Sequence, residues 1–280
     1  MDKSRLSLMT FPMGGDVRNK NMTVRDTLLL AKQAGIPFVD LLNVPDEQIE
    51  AYVAAMNETG VRVYTYIIDT SFLDNLQTQR ESILKGLQTA AVLQAKYLMI
   101  IPYVYRDALR AEPLDRQTVK QCMIEGFQQA VALGKEYGVR ICFETTPHNI
   151  SCLSGTQDCL DVLNAVPELD FVFDTANMLP HGDDPVEAYE ALKRRISHVH
   201  LKDVQLVPCN DFYPYAELAA DGRLMHCVVW GEGIIPVKAL YEKMISDGYA
   251  GCFAIEYVHP GGDCDLERHT RQLERFFVEN

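Results

Sequence analysis

The sequence predicts a (β/α)8 barrel, and three observations carry that expectation. Eight short apolar runs alternate with eight amphipathic stretches along 280 residues. Glycines that stop helices and prolines that start them fall between the runs. Four consecutive runs in the second half each end on, or carry, a carboxylate or imidazole able to ligate a metal. Strand–helix alternation of this sort means parallel strands joined by helical crossovers, and eight repeats suffice to close a ring. A doubly wound open sheet is the alternative with the same local pattern.

The strand runs lie near 5–10, 36–42, 61–68, 97–102, 139–144, 170–174, 196–202 and 252–257. The helical stretches lie near 23–34, 46–58, 75–94, 115–137, 156–165, 185–194, 236–247 and 265–278. Thr23-x-x-Asp26 has the form of a capping box, and Gly35, Gly60 and Gly138 stand where helices should stop. Pro45, Pro113 and Pro185 stand at or just before helix starts. Lys193-Arg194-Arg195 closes a helix, where cations suit the dipole. The one long connection, 204–233, follows the seventh strand, and Asp221-Gly222 within it can turn a small hairpin between 215–220 and 225–230. No linker or composition shift divides the chain, so 1–280 reads as one barrel domain.

Composition narrows the function class. The chain is 48% hydrophobic and carries a formal net charge of −13, which disfavours nucleic acid as a partner and favours a small molecule. No run reaches the ~20 apolar residues that span a bilayer. Leu6 to Phe11 is too short for a signal-peptide core. The eight cysteines form no Cys-x-x-Cys pair, and several lie in apolar runs, as buried thiols of a reducing compartment do. The cytoplasm is the expected location.

The chemistry centres on 196–203, Ile-Ser-His-Val-His-Leu-Lys-Asp. Residues two apart in a strand share a face, so His198, His200 and Lys202 point the same way, opposite Val199 and Leu201. Three polar groups on a buried strand face are costly unless a ligand needs them. The neighbouring strands offer partners. The fifth ends at Glu144, the sixth at Asp174 and the eighth at Glu256. Active sites of such barrels form at the C-terminal strand ends, and adjacent strands lie ~4.8 Å apart, so Glu144, Asp174, His200 and Glu256 can converge on one ion. Three carboxylates and an imidazole suit Mn²⁺ best, with Mg²⁺, Co²⁺ or Zn²⁺ as further candidates.

The motifs Ile141-Cys142-Phe143-Glu144, Phe173-Asp174-Thr175-Ala176-Asn177, His198-Val199-His200-Leu201-Lys202-Asp203, Gly231-Glu232-Gly233 and Ala254-Ile255-Glu256 together resemble the sugar-phosphate isomerase/epimerase group of xylose-isomerase-like TIM barrels. That group includes ketose 3-epimerases and inosose dehydratases. The resemblance implies that Glu144, Asp174, His200 and Glu256 hold a divalent metal and that Glu144 and Glu256 also exchange protons with the substrate. The family's sixth-strand motif often reads Asp-x-x-His, whereas this chain has Asn177, which hydrogen-bonds but does not titrate. His198 and Lys202 are substrate-facing candidates beside Asn177, with Lys202 able to hold a phosphate or carboxylate, or else to pair with a rim carboxylate. Tyr66, Tyr103, Tyr105 and Arg106 stand at or past the third and fourth strand ends, where a sugar pocket would lie. His148 and His181 stand in the following loops.

The implied function is isomerisation or epimerisation of a sugar or sugar phosphate through a metal-stabilised enediolate. The alternatives are a metal-dependent dehydratase of a cyclic polyol or keto acid, and a non-catalytic sugar-binding barrel. AP endonucleases share the barrel, but they need a trinuclear zinc cluster rich in histidine. This chain has seven histidines and none before His148. The expected partner is a carbohydrate. A homodimer is also open, since barrels of this sort often pair.

Overall fold

The computed structural model describes residues 2–102, 115–147, 154–209, 216–256, 270–271 and 274. Eight parallel strands close a ring in the order β1-β11-β7-β6-β5-β4-β3-β2. They are β1 (Leu6–Met9), β2 (Phe38–Leu42), β3 (Arg62–Thr70), β4 (Tyr97–Pro102), β5 (Arg140–Phe143), β6 (Asp170–Asp174), β7 (Ile196–Leu201) and β11 (Cys252–Ile255). The ring shuts where β1 pairs with β11, Ser7 beside Ala254. The helices are α1 (Gly14–Arg18), α2 (Val24–Ala34), α3 (Ile49–Thr59), α4 (Leu76–Val92), α5 (Arg116–Tyr137), α6 (Thr156–Ala165), α7 (Pro185–Leu192) and α8 (Val237–Ser246). The stretch 265–278 and Pro113 fall largely outside the described residues. No helix of the described residues is long and apolar enough to cross a membrane, and no disulfide joins the described cysteines.

Each strand alternates between two cores because successive side chains point to opposite faces. The outward set, such as Leu8, Leu41, Leu98, Phe143, Phe171, Val199 and Phe253, packs with the helices in one large buried cluster. The inward set, including Met9, Tyr64, Tyr97, Met99, Cys142, Val172 and Cys252, fills the barrel as a second, smaller cluster. Apolar residues thus plug the N-terminal half of the barrel. Polar inward residues include Glu144, Asp174, His200 and Glu256 near the C-terminal ends, and Ser7, Asp40 and His198 deeper in the barrel.

The local signals act as expected. Thr23 and Asp26 close a reciprocal capping box on α2, and Gly35, Gly60 and Gly138 cap their helices in the left-handed region. Asp184 caps α7, with Pro185 in its first turn. The hairpin turns at Gly222 (φ +82), pairing β9 (Glu217–Leu218) with β10 (Leu224–Val228). Two elements were not expected. Helix α1 has only five residues, too few to show a period. Strand β8 (Asp203–Val207) turns the start of the long connection into the third strand of a small sheet by pairing with β10. The Lys193-Arg194-Arg195 cluster also departs from expectation. Arg195 reaches past its own helix to bond the carbonyls of Leu163 (2.8 Å), Pro167 (3.0 Å) and Leu169 (2.7 Å), tying down the chain between α6 and β6.

Candidate active site

The ends of β5, β6, β7 and β11 meet over the apolar plug. One ligand atom each from Glu144, Asp174, His200 and Glu256 lies within 4.8 Å of all the others, and all four residues are buried. His200 Nδ1 stands 2.9 Å from Glu144 Oε1 and 3.3 Å from Glu256 Oε2. Neither approach has the direction of a hydrogen bond, and Nδ1 and Glu144 Oε1 are buried without a hydrogen-bond partner. Atoms that crowd one point while leaving their lone pairs unused are arranged as ligands are. A divalent cation fits this donor set.

Asp174 shows how the backbone aims a carboxylate. Its Oδ1 accepts from the N–H groups of Ala176 (2.7 Å) and Asn177 (2.8 Å) in a tight turn that opens the loop. That leaves Oδ2 turned inward, 3.3 Å from Lys202 Nζ. Lys202 pairs more closely with Glu256 Oε1, at 2.7 Å, and donates to Asn177 Oδ1 at 3.1 Å. Asn177 in turn donates to the Thr145 carbonyl at 2.8 Å, stitching the sixth strand end to the fifth. The structure therefore brings Asn177 and Lys202 to the four carboxylate and imidazole groups. Both side chains are engaged by the protein itself.

The charges follow from these contacts. Burial would raise Glu256, but Lys202 and His200 hold it well below the usual carboxylate range. Burial does raise Asp174, with Glu256 and Glu144 adding repulsion against the pull of Lys202, and its carboxyl is pushed up to about 7. Burial would lower His200, yet Glu144, Asp40 and Glu256 lift it well above the usual imidazole value. Lys202 is likewise lifted, by Asp174 and Glu256 against burial. The pocket is an acidic well that holds positive charge.

His198 lies deeper. It is fully buried, its Nε2 2.6 Å from Asp40 Oδ2 and its Nδ1 3.0 Å from the Cys252 carbonyl. It is thus closed off beneath the site, with Asp40 between it and His200. Asp40 was missed from the sequence. The available signal was an acidic residue inside the apolar run Phe38-Val39-Asp40-Leu41-Leu42. Tyr66 corrects another expectation: it is buried in the outer cluster against the helices, not in a sugar pocket. His181 is half-buried and bonds the Thr146 carbonyl at 3.2 Å. Tyr103, Tyr105, Arg106 and His148 lie outside the described residues.

Asp203, next to Lys202, serves the loop. Its Oδ2 accepts from Gly231 (2.9 Å) and Gly233 (3.0 Å), and its Oδ1 from Val204 (2.9 Å) and Ile235 (3.0 Å). Gly233 is required here because a Cβ would overlap the Asp203 carboxylate and stand 2.5 Å from the Val204 carbonyl. The Gly231-x-Gly233 motif thus lets the backbone close on a buried carboxylate.

A closed barrel of eight parallel strands with a buried cluster of carboxylates and imidazole at its C-terminal ends defines a class of protein that builds its site from strand ends. The model of the xylose isomerase-like TIM barrel family matches residues 28–277, and the chain belongs to that family. An inosose dehydratase of Geobacillus thermodenitrificans (strain NG80-2) is 26% identical over 143 residues. That match spans 48% of this chain and 45% of the relative, so the chain covers under half of that enzyme's length. Among solved structures, an IolI protein with a binding zinc atom superposes with a TM-score of 0.74 at 17% identity, covering 98% of this chain and 97% of the other. D-psicose 3-epimerase from Clostridium cellulolyticum H10, solved with D-tagatose, gives a TM-score of 0.73 at 13% identity, covering 98% and 97%. At such identities these two likenesses show the fold.

Proposed function

We propose that this protein is a divalent-cation-dependent enzyme that moves a proton on the carbon beside a carbonyl of a polyhydroxy ketone, as a sugar isomerase or epimerase does. The observation that carries this reading is that Glu144 and Glu256, from strand ends three places apart around the ring, both reach His200 Nδ1, at 2.9 and 3.3 Å. A divalent cation held by Glu144, Asp174, His200 and Glu256 would polarise the substrate carbonyl. The oxygen-rich donor set suits Mn²⁺, Mg²⁺ or Co²⁺, while the zinc of the IolI structure makes Zn²⁺ an equal candidate.

The two glutamates are not equivalent. Lys202 sits on Glu256, which fixes its charge and makes it the poorer base. Glu144 has no lysine or arginine within ion-pair reach among the described residues, so it is the better acceptor for the α-proton. The C–H electron pair then moves into the adjacent carbon–carbon bond and the carbonyl oxygen takes the charge. Glu256 is held as a carboxylate, so the proton returned on its side comes from the Lys202 ammonium beside it, which takes a proton back from solvent as Glu144 releases one. Delivery to the same carbon inverts it; delivery to the neighbouring carbon, with the first carbon's hydroxyl proton passing to the former carbonyl oxygen, isomerises the sugar.

One observation favours a second reading, dehydration. The Lys202 ammonium beside Glu256 can protonate a β-hydroxyl as its C–O bond breaks, releasing water, and the curated relative is a dehydratase. Incubation in D₂O with each metal over a panel of ketoses, ketose phosphates and inososes separates the two. Deuterium at the carbon beside the carbonyl in a product of unchanged formula is the expected result, and loss of water marks dehydration. Glu144→Gln is expected to abolish exchange, and full turnover by that variant would refute the assignment.

A further inference from the structure

We propose that Asp40 is a positioning residue for the cation site, holding the His200 ring so that Nδ1, and not Nε2, faces the acidic cluster. The inference rests on reading Glu144, Asp174, His200 and Glu256 as that site. Asp40 is fully buried and comes from β2, a strand that supplies none of those four residues. A register shift between Val39 and Asp40 interrupts the pairing of β2 with β3 at this residue. A carboxylate is disfavoured in such a place unless its oxygens are taken.

They are taken in a specific way. Oδ1 accepts from Ser7 Oγ at 2.8 Å, and Oδ2 accepts from His198 Nε2 at 2.6 Å. The same Oδ2 lies 3.5 Å from His200 Nε2, too far for a hydrogen bond, so that nitrogen is buried with a carboxylate charge as its neighbour and no hydrogen-bond partner. The two imidazoles meet at 88° with centroids 5.1 Å apart, so one oxygen can stand at the edge of both rings. His198 is itself moored to the Cys252 carbonyl at 3.0 Å. Ser7 and His198 therefore fix Asp40, with His198 moored to β11, and Asp40 sets its negative charge against the Nε2 edge of His200. A histidine ligand whose far nitrogen meets a carboxylate is both oriented and made a stronger donor, and loss of such a partner typically costs ~10–100-fold in metal affinity.

The test is titration of the whole protein with Co²⁺, followed by its visible absorption, for wild type, Asp40→Asn and Ser7→Ala. Asp40→Asn is expected to weaken Co²⁺ binding ~10–100-fold and to shift the band, with Ser7→Ala lying between it and wild type. A folded Asp40→Asn protein with wild-type affinity and an unchanged band would overturn the inference and leave the cation site standing. Wild type that binds no Co²⁺ would overturn the cation site and this inference with it. Should Asp40→Asn not fold, the wild-type protein decides. With ¹⁵N-histidine and ¹¹³Cd²⁺, coupling from the metal to Nδ1 of His200 is expected, and coupling to Nε2 would refute the proposal.

Discussion

Lys202 makes a prediction with two opposite signs. Its Nζ lies 2.7 Å from Glu256 Oε1 and 3.3 Å from Asp174 Oδ2, and both carboxylates are buried. Lys202→Met keeps the length of the stem and deletes the charge. Breaking a buried ion pair by removing one partner costs about 3–5 kcal/mol, because the other charge stays buried and unpaired. In EDTA the variant should therefore unfold at clearly lower urea than wild type. The same ammonium repels any cation that shares Asp174 and Glu256 with it. Two unit charges 4 Å apart repel by about 4 kcal/mol at an effective dielectric constant near 20. Even a third of that is about tenfold in affinity. Mn²⁺ binding, measured by competition with an indicator, should therefore tighten at least about tenfold in the less stable protein. Saturating metal should also return most of the lost urea resistance. A variant as stable as wild type in EDTA, or one that binds Mn²⁺ more weakly, would refute the reasoning.

Other predictions follow from the same contacts. Metal must displace the proton of Asp174, whose carboxyl is raised to about 7, so apparent affinity should rise with pH through 7 and fall as pH drops below it; a flat titration between pH 5 and 8 would count against the ligand role. The metal-free protein should show the reverse trend in stability. Asp174 and His200 both hold protons more tightly folded than unfolded, so the native state binds the extra proton and urea midpoints should decline as pH rises from about 4 through 7 and beyond. Asp40 and Glu256 are shifted downward and supply the opposing loss below pH 4. Gly233→Ala should cost about 1–3 kcal/mol by overpacking against Asp203, a loss read from the urea midpoint. An unchanged midpoint would mean that the loop yields freely.

The local elements were legible because their causes are local. The runs at 97–102, 156–165 and 170–174 end at the residues expected from apolar periodicity, caps and breakers. Helix α1 and strand β8 were not legible, the first because five residues hold no period. The second, Asp203-Val204-Gln205-Leu206-Val207, becomes a strand by pairing with β10, Val207 beside Leu224. Lone ionisable groups at four successive strand ends were readable because charge after an apolar run is disfavoured without a use.

Chain order and residue type by themselves determined the eightfold alternation, and with it the strand ends on which Glu144, Asp174, His200 and Glu256 stand. Closure of the ring decided what those groups touch. Asp40 reaches His198 across 158 residues of sequence, and Lys202 chooses Glu256 and Asp174 over the adjacent Asp203, whose oxygens are filled by loop amides. Periodicity and caps act over a few residues, so a sequence displays them directly. Electrostatic partnership depends on distance and burial, and in this barrel only the pairing of β1 with β11 and of β2 with its neighbours sets those.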